Sequence, residues 1–153
     1  MEFYKKYSHV GYSFLGVPDS WKPVVKNAVI KIGKEMWKPS WLPLFLKRWI
    51  HQLARGKSVV NIRSQSFYNL RNKLTKGMMI TDIKTKYANL CIYGHFNDEI
   101  EKIIENAEVE CSKICEFCGS KENVTTRDLG WIYNLCDKCY SEKLKNNNKN
   151  FKK

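Results

Sequence analysis

Residues 115–139 read CEFCGSKENVTTRDLGWIYNLCDKC, and the spacing of the four cysteines in this stretch decides the fold of its end of the chain. Cys115 and Cys118 form one Cys-x-x-Cys pair, Cys136 and Cys139 a second, with 17 residues between them. Two residues between cysteines let one tight turn aim both thiolates at a single ion, and two such turns complete a tetrahedron. The spacing reads as a structural zinc site rather than a pair of disulfides. Gly119, directly after the first pair, supplies the open backbone that a metal knuckle needs. Disulfides and a redox pair are the alternatives, but a thioredoxin-like Cys-x-x-Cys opens a helix within a βαβ unit, and no such unit flanks either pair. Four thiolates leave no open position for water or substrate, so the expected Zn²⁺ stabilises the fold and performs no reaction.

Upstream, Asn97 caps a predicted helix in which Asp98 and Glu99 complement the dipole and Ile100, Ile103, Ile104, Ala107 and Cys111 form an apolar stripe. The phase of Cys111 with that stripe makes it a core residue, with a fifth metal-directed thiol as the alternative. Cys91 lies in an apolar run and also reads as core. Before the helix, residues 79–87 and 90–93 predict two strands joined at Ala88-Asn89, asparagine tolerating the positive φ of a hairpin turn. Within the cysteine module, residues 130–135 predict a strand whose Trp131 and Leu135 pack the module onto the body. From Lys143 onward the tail reads as too polar to fold.

Towards the N-terminus, Asp19 or Ser20 is expected to cap a helix with proline tolerated in its first turn. Trp21, Val25, Val29, Ile32 and Met36 recur at helical spacing, and Lys22, Lys26, Lys34 and Lys38 fall on the other side. A second helix is predicted from Trp41 to Arg55, ended by Gly56, with Leu42, Phe45, Leu46, Trp49 and Leu53 facing the core and Lys47, Arg48, His51 and Arg55 facing solvent. Trp41 reads as buried, with an exposed stacking or docking role as the alternative. Residues 57–63 predict a short strand, and residues 66–74 a short helix or irregular link bearing Arg71 and Lys73.

The chain has 153 residues and a formal net charge of +12, carried by the first 80 residues with 15 Lys and Arg against 3 Asp and Glu. Such a field raises encounter rates with polyanions and supplies most of a non-specific nucleic-acid affinity, although lysines also serve plain solubility. No run approaches the 18 or more apolar residues of a membrane span, and the N-terminus lacks a signal-peptide block, so a cytoplasmic setting with reduced thiols is expected. Heavy use of Lys and Asn with little Ala points to AT-rich coding. His9, His51 and His95 are the only histidines, and no two stand at ligand spacing. The His-Glu-x-x-His, zinc-deaminase, phosphate-loop and Gly-x-Gly-x-x-Gly patterns are all absent. His95 with Asp98 and Glu99 is the one arrangement from which a metal-dependent nuclease could be imagined, and the two carboxylates are already explained as first-turn helix residues.

Five stretches carry a family resemblance: residues 80–93, ITDIKTKYANLCIY; Asp98-Glu99; Ala107-Glu108; residues 115–119, CEFCG; and residues 130–139, GWIYNLCDKC. Together they resemble a family of small, largely uncharacterised bacterial and phage proteins, and the Trp21-Lys22-Pro23 start is similar to that of the family's first helix. Ala88-Asn89 replaces the family's Gly-Gly turn, and residues 39–74 look like an addition. The resemblance implies a zinc-ribbon α+β fold and a phage or prophage setting, and it implies no reaction. The expected architecture is therefore α+β, with a helical basic N-terminal half, a small β-hairpin or sheet plus a helix, and a C-terminal zinc ribbon. It divides into a body over residues 1–110, the ribbon over 111–142 and a flexible basic tail over 143–153. The expected function is non-enzymatic binding of nucleic acid, or of a host complex that handles it, to inhibit a defence or transcription machine. Lys22, Lys26, Lys34, Lys47, Arg48, His51, Arg55, Arg71 and Lys73 would make the contacts. Inhibition through an acidic protein surface, without nucleic acid, is the alternative.

Overall fold

A computed structural model describes residues 16–38, 41–54 and 62–150, apart from the side chains of residues 52, 62–65 and 147–150. Five α-helices and two separate two-stranded antiparallel sheets make up these residues, so the fold is α+β as expected. None of the helices is long and apolar enough to cross a membrane. Arg55, Gly56 and most of the predicted strand at 57–63 lie outside the described residues.

A 3-10 turn at Asp19–Trp21 leads into α1, Lys22–Met36, with Pro23 in its first turn. Ser20, expected as a cap, instead donates its hydroxyl to the Glu116 carbonyl, 3.0 Å away and 96 residues along the chain. The α1 stripe is buried as its spacing requires: Trp21, Val25, Val29, Ile32 and Met36 are all lost to solvent. Helix α2 spans Leu44–Ala54 and α3 spans Ile62–Thr75, the latter taking up Ile62 and Arg63 from the predicted strand. Strands β1, Met79–Lys86, and β2, Asn89–His95, form the first hairpin, and α4, Asp98–Ser112, follows under an Asn97 cap whose side chain accepts from the Ile100 amide at 3.0 Å. Strands β3, Val124–Asp128, and β4, Ile132–Cys136, form the second hairpin and run directly into α5, Asp137–Asn150.

One continuous core joins α1, β1, β2 and α4 through residues such as Trp21, Ile32, Ile83, Leu90, Ile100 and Cys111. Gly94 sits where a side chain has no room: a Cβ there would stand 2.1 Å from the Met79 carbonyl oxygen across the hairpin. The turn of this hairpin falls one residue earlier than expected. Lys86 pairs with Asn89, so Tyr87 and Ala88 are the two turn residues, with φ of 51° and 60°. Neither residue type favours that conformation, which ordinarily goes to Asn and Gly. Beside β1, the Thr85 amide donates to the Gly16 carbonyl at 2.9 Å, so Gly16 runs alongside the strand.

The second helix departs from expectation. Its basic side was expected outward, but Lys47 and His51 are buried together with Ile50, and Phe45 and Trp49 stand 67 % and 52 % exposed. Trp41, read as core, is 73 % exposed. Long aliphatic stems let Lys cover apolar surface while the amine reaches outward, and this allows the turned helix to dock. Burial lowers the pKa of Lys47. Trp49 is instead held edge-on against Phe67 of α3, with ring centroids 5.2 Å apart. Three smaller corrections follow. Trp131 is exposed at the tip of the second hairpin while Leu135 is buried as expected, Cys91 is only half-buried, and the polar tail is helical as far as Asn150. That helix has anchors the sequence pattern hides, because the Lys143 amine lies over both the Phe117 and Tyr133 rings, 4.3 and 4.0 Å from their centres.

Candidate metal centre

The first cysteine pair sits on a tight turn closed by two backbone hydrogen bonds: the Gly119 amide donates to the Cys115 carbonyl at 2.9 Å, and the Cys115 amide donates to the Ser120 carbonyl at 2.8 Å. Gly119 takes φ of 76° to complete it, as its position after the pair predicts. Cys136 ends β4 and Cys139 lies in the first turn of α5. The second pair therefore straddles a strand-to-helix junction, where the helix N-terminus favours negative charge. All four ligand sulfurs lie within 4.8 Å of one another, and the Cys118 and Cys136 sulfurs are 3.6 Å apart. A tetrahedral ion bound to sulfur at about 2.3 Å needs sulfurs about 3.8 Å apart, so the cage is the right size for one ion. Among the described residues this is the one group of Cys, His, Asp and Glu that close together, so His95, Asp98 and Glu99 form no such group. His95 is exposed at the end of β2, and Glu99 pairs with Lys102 at 3.4 Å.

Protonation of the cage is uneven. Burial opposes the Cys115 thiolate, but the amides of Cys118, Cys136 and Phe117 point at it and bring its pKa down to about 7. At Cys118 the Ser120 amide favours the thiolate, yet burial and the Cys115 and Cys136 thiols push the pKa up. Cys139 is also pushed up, by burial first and then by the three other sulfurs. Crowded thiols resist losing all four protons together unless a cation replaces them. Cys111 stands outside the cage: it is fully buried, and its pKa rises to about 12 through burial and the nearby Glu110 and Glu108 carboxylates. It is a neutral core thiol, as its helical phase predicts.

The module is fastened to the body at three points. The Trp21 indole N-H donates to the Ile114 carbonyl at 3.0 Å, one residue before the first ligand, and Ser20 holds Glu116. The third point is Asn134, which sequence reading missed. It is 2 % exposed, its side-chain N-H donates to the Ala88 carbonyl at 2.6 Å, and its side-chain oxygen accepts from Thr126 at 2.9 Å. Its backbone N-H donates to the Glu116 carboxylate at 2.8 Å and its carbonyl accepts from the Glu116 amide at 2.9 Å. A polar residue between Tyr133 and Leu135 in a strand was the only available signal. Asn134→Ala leaves the buried Ala88 carbonyl without its donor and is expected to cost about 1–3 kcal/mol, read as a lower urea midpoint. Asn134→Asp should cost more at neutral pH, since a carboxylate would face that carbonyl and Glu116. An unchanged midpoint in both variants would remove Asn134 from this role.

The predicted contact residues are divided by the fold. Lys26, Lys34 and Lys73 are exposed, Lys22 pairs with Asp19 and Arg48 is half-buried. Lys47, His51 and Arg71 are withdrawn into the interior. Arg71 donates to the Met78 carbonyl and to the Asn72 side-chain oxygen, each at 3.1 Å, and so ties the end of α3 to the start of β1. Comparison with protein-family models, with curated proteins and with solved structures finds no match in any of the three.

Proposed function

We propose that this is a non-enzymatic nucleic-acid-binding protein whose four-cysteine cage holds a structural zinc ion. Four soft thiolates at tetrahedral spacing favour zinc, and such a set closes the coordination sphere. The binding reading is carried by one observation. Residues 36–81 contain nine Lys and Arg and not one Asp or Glu. Within this stretch both oxygens that accept from the Arg71 guanidinium are neutral, so no carboxylate is spent on that cation, and Lys38 reaches outside the stretch to pair with Glu35. A cationic body of this kind attracts phosphate backbones. The resemblance to small phage and bacterial proteins supplies a setting, in which the nucleic acid bound belongs to a host defence or transcription complex.

Salt tests the reading. With about four phosphate contacts, affinity for a labelled oligonucleotide should fall roughly 50- to 150-fold between 50 and 200 mM salt. Replacing the exposed Lys26, Lys34 and Lys73 by Gln should flatten that dependence. Oligonucleotide affinity that does not change with salt would count against the polyanion reading, and host proteins still captured after nuclease digestion of the lysate would point to an acidic protein partner instead.

A further inference from the structure

Helix α2 turns its aromatic side outward, with Phe45 67 % and Trp49 52 % exposed. Phe45 and Trp49 are one helical turn apart on the same face, and Trp41 stands just before the helix, which is held in place by the Leu46 and Lys47 amides donating to the Pro43 carbonyl. Tyr68 adds a ring, 44 % exposed, on the neighbouring α3. The Trp49 ring is fixed by its edge-on contact with Phe67, at an interplanar angle of 76°. These rings are set within the stretch of 36–81 that carries nine cations and no carboxylate.

We infer that the Trp41, Phe45 and Trp49 face of α2 is a stacking platform for the bases of a single-stranded nucleic acid. The inference rests on the nucleic-acid reading and adds the form of the ligand. Single-strand binders combine a cationic surface that follows the backbone with aromatic rings on which successive bases lie, and any base has a face to offer. A duplex hides those faces in its own stack and presents only phosphates and groove edges to this surface. The spacing agrees, because one helical turn separates Phe45 from Trp49 by about 6 Å along the axis. Stacked bases in a duplex rise about 3.4 Å per step, so rings 6 Å apart suit the splayed bases of an extended strand.

The test compares the full, metal-loaded chain and its Trp41→Ala, Phe45→Ala and double variants, using a labelled 20-nucleotide single strand and the matching duplex at one fixed salt concentration. Both side chains are more exposed than buried, so the variants should melt with the wild type, and Trp41→Phe should restore binding if a ring is what matters. The expected result is preference of the wild type for the single strand, loss of about tenfold or more in single-strand affinity per ring removed, and duplex affinity unchanged. Equal binding of both forms, or single-strand affinity untouched in the double variant, overturns the platform while leaving the charge reading in place. No binding to either form at low salt overturns both. Self-association of the wild type that the double variant abolishes would assign the face to a second copy and also overturn the inference.

Discussion

Replacing Cys115 by Ser is expected to strip the chain of its metal and to lower the thermal midpoint of the body as well as that of the module. Metal binding in small cysteine modules contributes about 10–16 kcal/mol that counts as folding energy, which rivals the whole net stability of an ordinary domain. From the sequence, chelation should loosen the C-terminal end ahead of the basic half. The three fastenings at Trp21, Ser20 and Asn134 carry that loosening into α1 and the first hairpin. Thiol alkylation reads the result directly, because the chain has six cysteines in distinct states. With metal bound, half-buried Cys91 should react and the other five should not. In Cys115→Ser, Cys118, Cys136 and Cys139 should become reactive, and Cys111 should follow because the core around it opens. Continued protection of Cys111 would mean that the module unfolds alone. Acidification should act in the same direction as chelation. The ligands must be thiolates, so protons compete with the ion and metal content falls as pH falls, whereas raising the pH moderately should hold it.

Trp21→Ala should cost about 3–5 kcal/mol through the cavity it leaves, with a further cost because the Ile114 carbonyl loses its donor. Trp21→Phe separates the two contributions. It keeps most of the apolar volume and removes the N-H, so its loss should be smaller, on the order of 1–3 kcal/mol. Urea unfolding of both variants, with metal saturating, measures the difference. If Trp21→Phe matches the wild type, the indole bond to Ile114 contributes nothing and Trp21 acts by packing alone. A second readout is metal retention in competition with a chelator. Both variants should release the ion faster than wild type, since Ile114 directly precedes Cys115.

What could be read from the residues depended on how local the cause was. The α1 and α4 stripes are runs of aliphatic residues at helical spacing with charges opposite, and Val25, Val29, Ile32, Ile100, Ile104 and Cys111 are buried where that pattern puts them. The cage follows from cysteine spacing alone. Helix α2 was misread because Phe45 and Trp49 dominate any estimate of its apolar side, while the side that docks is chosen by what α3 and the body offer, and there Lys47, Ile50 and His51 fit. Asn134 was illegible for a different reason: its partner Ala88 is 46 residues away, and nothing near either residue announces the bond. The α5 helix depends on Lys143 finding two rings supplied by the knuckle and by β4, again a contact between separate segments.

The bond between Trp21 and Ile114 also sets a timetable for synthesis. The two residues are 93 positions apart, so at common translation rates the α1 face waits roughly 5–19 s before its acceptor has been made. Cys139 comes later still, and the ion cannot be enclosed until it emerges. Until the first hairpin and α4 emerge to cover them, a nascent chain displays Val25, Val29, Ile32 and Met36 to solvent and to any chaperone at hand. Metal supply during translation, rather than after it, should therefore govern how much soluble protein a cell yields.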